Sequence, residues 1–248
     1  MTEIAIIIPS RLDAKRLPNK PLKTINNKEM ILHVYDVAEK ANVGEVLVAT
    51  PDEKIIEIVK KHGGKAVFTR SEHETGTDRI FEAFEKELKK KSKFIINLQG
   101  DMPNLNPSEI TNLVKHMKKN TCDIGTLASN LDGEAEKKDS NVVKVITEKD
   151  IGKKEFSKAI DFFRLSNSSI VNPIYHHIGI YAFTNEALIR YVNLKRSKLE
   201  IQRNLEQLRA LDNKMKIEVG YVEQCPLSVD TEEDFIEIKK LMENHDKN

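Results

Sequence analysis

Two sets of charged residues stand at spacings that suit phosphate chemistry. The first lies in SRLDAKRLPNKPL, where Arg11, Lys15, Arg16 and Lys20 put four cations within ten residues and Asp13 is the one interleaved acid. A charge run of this kind is most often a solvated face. Here it follows a wholly apolar run, Ile4 to Ile8, in a loop that Pro18 and Pro21 keep extended, which is a good place to hold a polyphosphate. The second set is Asp101 and Asp230. Asp101 ends FIINLQGDMP, an apolar run stopped by a polar turn, and Asp230 lies in SVDT. Ligands of open α/β sheets collect at such strand ends, and Gly100 lets the backbone come close. A lone Asp there can equally do no more than cap a turn. Magnesium binds nucleotide phosphates through one or two carboxylates while keeping several waters. Four cations and two aspartates therefore suit phosphoryl or nucleotidyl transfer.

Other chemistries are less well served. The chain has no G-x-x-x-x-G-K-[ST] loop, no G-x-G-x-x-G after its first strand and no G-x-S-x-G elbow, which disfavours a P-loop nucleotidase, a dinucleotide-binding enzyme and an α/β-hydrolase in turn. Its 40 basic and 39 acidic side chains give a net charge of +1, so no global field draws nucleic acid or an anionic membrane. Cys122 and Cys225 match neither a disulfide framework nor a metal-ligand spacing. Reduced thiols suit the cytoplasm, and the opening MTEIAIIIPSR lacks the basic lead and the apolar length of a signal peptide.

The elements that position these residues follow from hydrophobic period. Ile4 to Ile8 reads as a strand buried on both faces, and Met30 to Ala41 as a helix. Glu45 to Ala49 is a second strand, followed by a helix that Asp52 can cap, and Lys65 to Phe68 is a third. The polar loop TRSEHETGTDR leads into a helix over Ile80, Phe81, Phe84 and Leu88, with Thr77 or Asp78 expected as its cap. After the FIINL strand, Pro107 opens another helix. Strand and helix alternate through the first ~120 residues, which predicts a parallel, doubly wound α/β layer. The rhythm then changes. Strands are expected at 124–128, 141–146 and 178–183, a charged loop at 131–140 and irregular chain over 151–175. Beyond these come a helix capped by Thr184, another from Leu199 to Leu211, an exposed strand from Lys216 to Tyr221, and a last helix that Thr231 and Asp234 can cap.

The segments IPSRLDAKRLPNKPL, HVYDVAEKA, VATPDE, HETGTDR, NLQGDMP, NVVKV, HHIGIYAF, LEQLRAL and SVDTEEDF run in the order, and roughly at the spacing, of the 3-deoxy-manno-octulosonate (Kdo) cytidylyltransferases, the CMP-Kdo synthetases. The chain resembles that family from Ile4 to about Phe235. The resemblance implies a Rossmann-like nucleotide-diphospho-sugar transferase fold, α/β with a mixed, mostly parallel sheet and helices on both faces. It implies a single domain over 1–248 with a smaller sugar-binding and dimerisation lobe from about 130–215. The activity implied is coupling of CTP to Kdo with release of pyrophosphate, for lipopolysaccharide assembly, in a cytoplasmic homodimer that engages neither nucleic acid nor membrane.

Residue by residue, the resemblance gives Arg11 and Lys20 to the triphosphate, with Arg16 and Pro9 in the same motif, and Thr75, Gly76 and Thr77 to the cytosine. Asp101 and Asp230 match the magnesium ligands, and with Arg11 and Lys20 they form the catalytic set. Gln99, Lys158, His177, Tyr181, Glu206 and Gln207 match positions that hold the sugar. Without the resemblance, His177 reads equally as a strand histidine, Tyr181 as a core aromatic, and Glu206 and Gln207 as polar helix residues. The chain departs from the family at Met102, where an acid is usual, and at EFSKA in place of YFSRA, which sets Lys158 where an arginine would meet the sugar carboxylate. The segment 159–175 is also short and lacks the usual I-P run. These departures bear on the sugar more than on CTP. They keep open a CMP-8-amino-Kdo synthetase, a nonulosonic (sialic-type) acid synthetase, and a catalytically silent nucleotide-binding module.

Overall fold

In the computed structural model of the chain, residues 3–13, 16–88, 92–152, 155–165 and 171–245 are described, and Lys15 lies outside them. Strand β1 (Ile4–Pro9) is buried along its apolar length. The basic loop follows and ends in a 3₁₀ turn at Lys20–Leu22, entered through Asn19 in the left-handed region at φ 56°. A two-residue hairpin that periodicity is too short to reveal comes next, β2 (Thr24–Ile25) and β3 (Lys28–Glu29). Asn26 and Asn27 make its turn at φ 49° and 60°, the backbone shape that asparagine tolerates best after glycine. Helix α1 (Met30–Ala41), strand β4 (Glu45–Thr50), α2 (Glu53–Lys61), β5 (Ala66–Phe68), α3 (Gly76–Glu87), β6 (Phe94–Leu98) and α4 (Pro107–Lys119) continue the alternation. After them come β7 (Ile124–Ser129), α5 (Gly133–Lys138), β8 (Lys144–Thr147), β9 (Phe156–Phe163), β10 (Ile174–Thr184), α6 (Asn185–Val192), α7 (Lys198–Arg203), α8 (Gln207–Asp212), β11 (Ile217–Tyr221) and α9 (Glu232–His245).

The chain forms two compact units, Met1–Thr111 with Pro226–Asn248, and Asn112–Cys225. In the first, β5, β4, β1 and β6 lie side by side in that order, every pair parallel, as the strand and helix alternation requires. The C-terminal piece returns to this unit. Val229, Phe235 and Ile238 share one buried cluster with Leu17, Ile25 and Met30, which ties the segment around Asp230 to the loop after β1.

In the second unit β10 pairs antiparallel with β7 and β8, β7 runs parallel to β11, and β9 pairs antiparallel with both β11 and β8. The five pairings close on themselves. Strand β10 carries a register shift between Ile178 and Tyr181, and Thr126 fills it by donating to the Ile180 carbonyl at 2.6 Å.

Several sequence expectations are corrected here. The stretch 151–175 contains β9 and the start of β10, hidden because β9 exposes Lys158 and apolar Ile160 between buried Ser157, Ala159 and Phe162. The loop at 131–140 holds the short helix α5. The strand from Lys216 to Tyr221 is not an exposed one: β11 is paired on both sides, and its Ile217 and Val219 are fully buried. The helix over 199–211 is two helices, because Asn204 turns left-handed at φ 52°. The cap of α3 is Thr75 rather than Thr77 or Asp78. Its hydroxyl accepts from the Asp78 N–H at 3.2 Å, since the helix starts at Gly76, earlier than either of those caps would allow. Thr184 does cap α6, and Thr231 and Asp234 bond reciprocally at the start of α9. No helix among the described residues is long and apolar enough to cross a membrane.

Gly44, at the entry to β4, passes directly beneath β1. A Cβ there would lie 2.1 Å from the Ile4 carbonyl oxygen, a backbone atom that cannot turn aside. Gly44→Ala is therefore expected to cost about 1–3 kcal/mol, the usual range for overpacking, read as a lower urea midpoint at unchanged slope.

Candidate active site

The loop after β1 is held by groups outside it. Ser10 donates to the Ala49 carbonyl at 2.9 Å, and the Leu12 N–H to the Asp52 carboxylate at 2.9 Å. Asp52 occupies the N-cap position of α2 without making a side-chain cap bond, so its carboxylate serves the loop instead. Buried Pro21 and Leu17 anchor the far end, and Lys20 then points its ammonium at the ends of two other segments.

That ammonium is the meeting point of the predicted residues. Lys20 Nζ donates to the Val229 carbonyl at 2.7 Å and lies 3.4 Å from a carboxylate oxygen of both Asp101 and Asp230. Arg16 reaches the other Asp230 oxygen at 2.8 Å. A backbone bond from Val229 N–H to the Asp101 carbonyl, 2.9 Å, joins the two acidic segments directly. The Asp101 side chain is 22% exposed and that of Lys20 16%. Burial raises the Asp101 carboxyl above its usual range; the Lys20 charge opposes this and the Asp230 charge adds to it.

Beside this cluster lies a cleft of about 250 Å³. Pro9 lines it from the end of β1, Arg11 and Lys20 from the loop that follows, Thr75 and Gly76 from the start of α3, and Gln99 to Asp101 from the turn after β6. Arg16, Thr77 and Asp230 are not among its lining residues. Thr77 is buried, and its hydroxyl accepts from Asn97 Nδ2 at 3.1 Å.

Sequence reasoning missed His73, Arg79 and Asn97. Arg79 is 3% exposed and donates through Nη1 to Thr69 Oγ1 at 2.8 Å and to the Arg70 carbonyl at 2.9 Å, which shapes the turn before α3. Burial, then repulsion from Arg11, lowers its pKa. His73 pairs with Glu82. Burial would raise that acid, but Lys86, His73 and the Arg70 N–H pull it down to about 2. Asn97 was visible as a polar residue inside an apolar strand. It is fully buried and accepts from Gln99 Nε2 at 3.0 Å while donating to Thr77, which links the end of β6 to the start of α3.

The remaining candidates, Lys158, His177, Tyr181, Glu206 and Gln207, belong to the second unit. Lys158 is exposed on β9. His177, Tyr181 and Gln207 are buried, with 5–6% of their surface accessible. His177 meets Thr126 Oγ1 at 3.0 Å, lies edge-on to Phe162, and its ring is 5.5 Å from that of Tyr181. Burial lowers its pKa to about 3, so the imidazole is neutral at physiological pH. Tyr181 is held well above the usual phenol value by burial and then by the Glu206 carboxylate, which sets those two side chains near each other. The Glu206 carbonyl accepts from the Tyr191 hydroxyl at 2.9 Å, and α8 is fixed by a buried pair, Arg209 to Glu200 at 2.7 Å.

The cytidylyltransferase family model matches residues 5–217. The 3-deoxy-manno-octulosonate cytidylyltransferase of Bartonella tribocorum is 40% identical over 241 residues, 97% of this chain and 98% of the relative. The enzyme of that name from Brucella ovis is 42% identical over 229 residues, 92% of this chain and 91% of its own. Among solved structures, a CMP:2-keto-3-deoxy-manno-octonic acid synthetase complexed with CTP superposes with a TM-score of 0.86 at 34% identity, covering 98% of this chain and 99% of that one.

Because protonation relieves a buried carboxylate whose pKa is raised, Asp101 costs stability once ionised, and the cost grows as pH rises through its folded-state value. Asp101→Asn is expected to melt no lower than the parent chain at pH 7, with any gain vanishing as the buffer is taken down through the carboxylate range. A large loss of melting temperature at pH 7 would show that the Lys20 contact outweighs the burial.

Proposed function

The chain belongs to the 3-deoxy-manno-octulosonate cytidylyltransferase family, and on that premise we propose that it couples CTP to Kdo or a close eight-carbon analogue, giving the CMP-sugar and pyrophosphate for lipopolysaccharide assembly. The observation that carries this reading is the convergence of Lys20, Asp101 and Asp230 beside a cleft already lined by Arg11 and by Thr75 and Gly76.

The two carboxylates fit a divalent ion, because they already close on a single cationic centre, the Lys20 ammonium. Asp101 and Asp230 would hold Mg²⁺, which when bound supplies charge neutralisation at the α-phosphate and a lowered pKa for the attacking sugar hydroxyl. Arg11, Arg16 and Lys20 bind the triphosphate and stabilise the charge that gathers on departing pyrophosphate, an electrostatic rather than a covalent role. Backbone groups of Thr75, Gly76 and Thr77, beside Pro9, receive the cytosine. A site built to bond its amino group would leave polar atoms unpaired against UTP. Gln99, Lys158, His177, Tyr181, Glu206 and Gln207 hold the sugar acid, with Lys158 nearest in chemistry to its carboxylate. The protein works in the cytoplasm as a homodimer, with the lobe from about 130–215 supplying sugar contacts and the dimer interface.

Lys158 supports a second arm, an amino-substituted Kdo, since a single ammonium replaces the planar fork suited to a carboxylate. Pyrophosphate release over Kdo, 8-amino-Kdo and a sialic-type acid, each with CTP and Mg²⁺, decides the sugar. Silence with all three, alongside tight CTP binding, would mark a nucleotide-binding module instead. Asp101→Asn and Asp230→Asn are each expected to lower kcat by at least ~10²-fold with the fold intact by circular dichroism, the size of loss seen for a transition-state charge contact. An unchanged rate with unchanged magnesium dependence would remove that aspartate from the site.

A further inference from the structure

Away from the cleft, in the second unit, three chemically different side chains face one another. His116 comes from the last turn of α4, Cys122 from the connection into β7, and Glu218 from β11. One imidazole nitrogen, the thiol sulfur and one carboxylate oxygen all lie within 4.8 Å of each other. We propose that His116, Cys122 and Glu218 form a structural site for a thiophilic divalent cation of the zinc class.

The donor set matches the cation. Zinc takes thiolate at ~2.3 Å and imidazole or carboxylate at ~2.0–2.2 Å, so a cation would draw the thiol in and part His116 Nε2 from the Glu218 carboxylate, each by on the order of 1 Å. Magnesium and calcium prefer oxygen and would not use the thiol. Met117 Sδ accepts from the Cys122 thiol at 3.4 Å and puts a second soft sulfur at the edge of the cluster.

The surroundings hold these donors ready. The His116 ring lies flat on Phe156, centroids 3.5 Å apart and planes 7° from parallel, so the imidazole has one orientation. Its Nε2 faces the Glu218 carboxylate, and its Nδ1 lies 3.0 Å from the Asn120 side-chain amide, whose rotation would present an oxygen to an Nδ1 proton. Burial keeps His116 below the usual imidazole pKa, and it is therefore neutral. Burial works against ionisation of Glu218 as well, but Lys216 and His116 prevail and hold it ionised. Lys216 grips the other Glu218 oxygen at 2.6 Å. It is 45% exposed and can retire to solvent as a cation arrives.

Only the thiol must change state. Burial pushes Cys122 up to about 12, so the free thiol is protonated and inert. Cation binding replaces the S–H bond by a metal–thiolate bond and passes about one proton to solvent. The occupied site would clamp the end of α4 and the adjoining entry to β7 onto β11, which is remote from both in sequence.

Cobalt(II) is the probe, titrated into the full chain with Mg²⁺ in excess. One equivalent should give a thiolate-to-cobalt charge-transfer band that Zn²⁺ abolishes by displacement, with about one proton released per cation. Cys122→Ser should lose the band and Cys225→Ser should keep it. Glu218→Gln should weaken binding by more than about 10-fold, the loss that even outer partners of a metal cause. Should Cys122→Ser fail to fold, the parent chain still decides: Zn²⁺ must raise its melting temperature and release the proton. No band in the parent chain, or a band that follows Cys225, overturns the proposal and leaves His116 and Glu218 as an ordinary hydrogen-bonded pair.

Discussion

Two carboxylates drawn together in a half-buried corner repel each other, and burial removes the water that would otherwise relieve them. This chain resolves the conflict with one ammonium. Lys20 meets Asp101, Asp230 and the Val229 carbonyl at once, and the rest of the first unit can be understood as the means of delivering these groups to a common point. Asp101 arrives on the end of β6. Asp230 arrives because α9 packs beside the loop that carries Lys20, through Val229 and Phe235 against Leu17 and Ile25. Removal of Lys20 would leave the two carboxylates facing each other without the cation they share, which costs more than the pairing gains by forming.

The same economy appears wherever a loop near the cleft needs a fixed shape. Such loops cannot rely on sheet or helix bonds, so buried polar side chains take up their backbone groups. Asp52 leaves helix capping aside to hold the Leu12 N–H, and Arg79 spends its guanidinium on the turn at 69–71. Asn97 uses both ends of its amide, one on Thr77 and one on Gln99. None of these groups needs to touch a substrate to matter. Each sets the position of one that lines the cleft.

Much of the first unit was legible because its strands are continuous apolar runs and its helices keep a clean period, and those patterns have few other solutions. The meeting of Arg16, Lys20, Asp101 and Asp230 was legible in part: Asp101 follows β6 as a strand-end residue should, whereas Asp230 stands at the entry to α9 and arrives because that segment packs on the loop after β1. What stayed hidden depends on contacts remote in sequence. Strand β9 buries polar Ser157 and exposes apolar Ile160, so its burial does not follow hydrophobicity, and only pairing with β8 and β11 makes it a strand. Lys216 to Tyr221 has the alternation of a solvated edge, yet its polar member, Glu218, is taken up by His116 and Lys216, so both flanks can be covered. The break at Asn204 and the Asn26–Asn27 hairpin hang on single residues in the left-handed region, which no periodicity registers.

The second unit's sugar-site candidates also constrain how a sugar acid could be recognised there. His177, with a pKa near 3, offers a hydrogen bond and no charge, and Tyr181 stays a neutral phenol. Glu206 is an acid and would repel a carboxylate, and Gln207 is neutral. Within that set Lys158 alone carries positive charge, and it is exposed. A solvated ammonium attracts a carboxylate but does not fix its plane. Discrimination among sugar acids would then rest on the buried, neutral hydrogen-bonding groups, which penalise a missing or misplaced hydroxyl far more than a surface charge rewards a carboxylate that every candidate sugar shares.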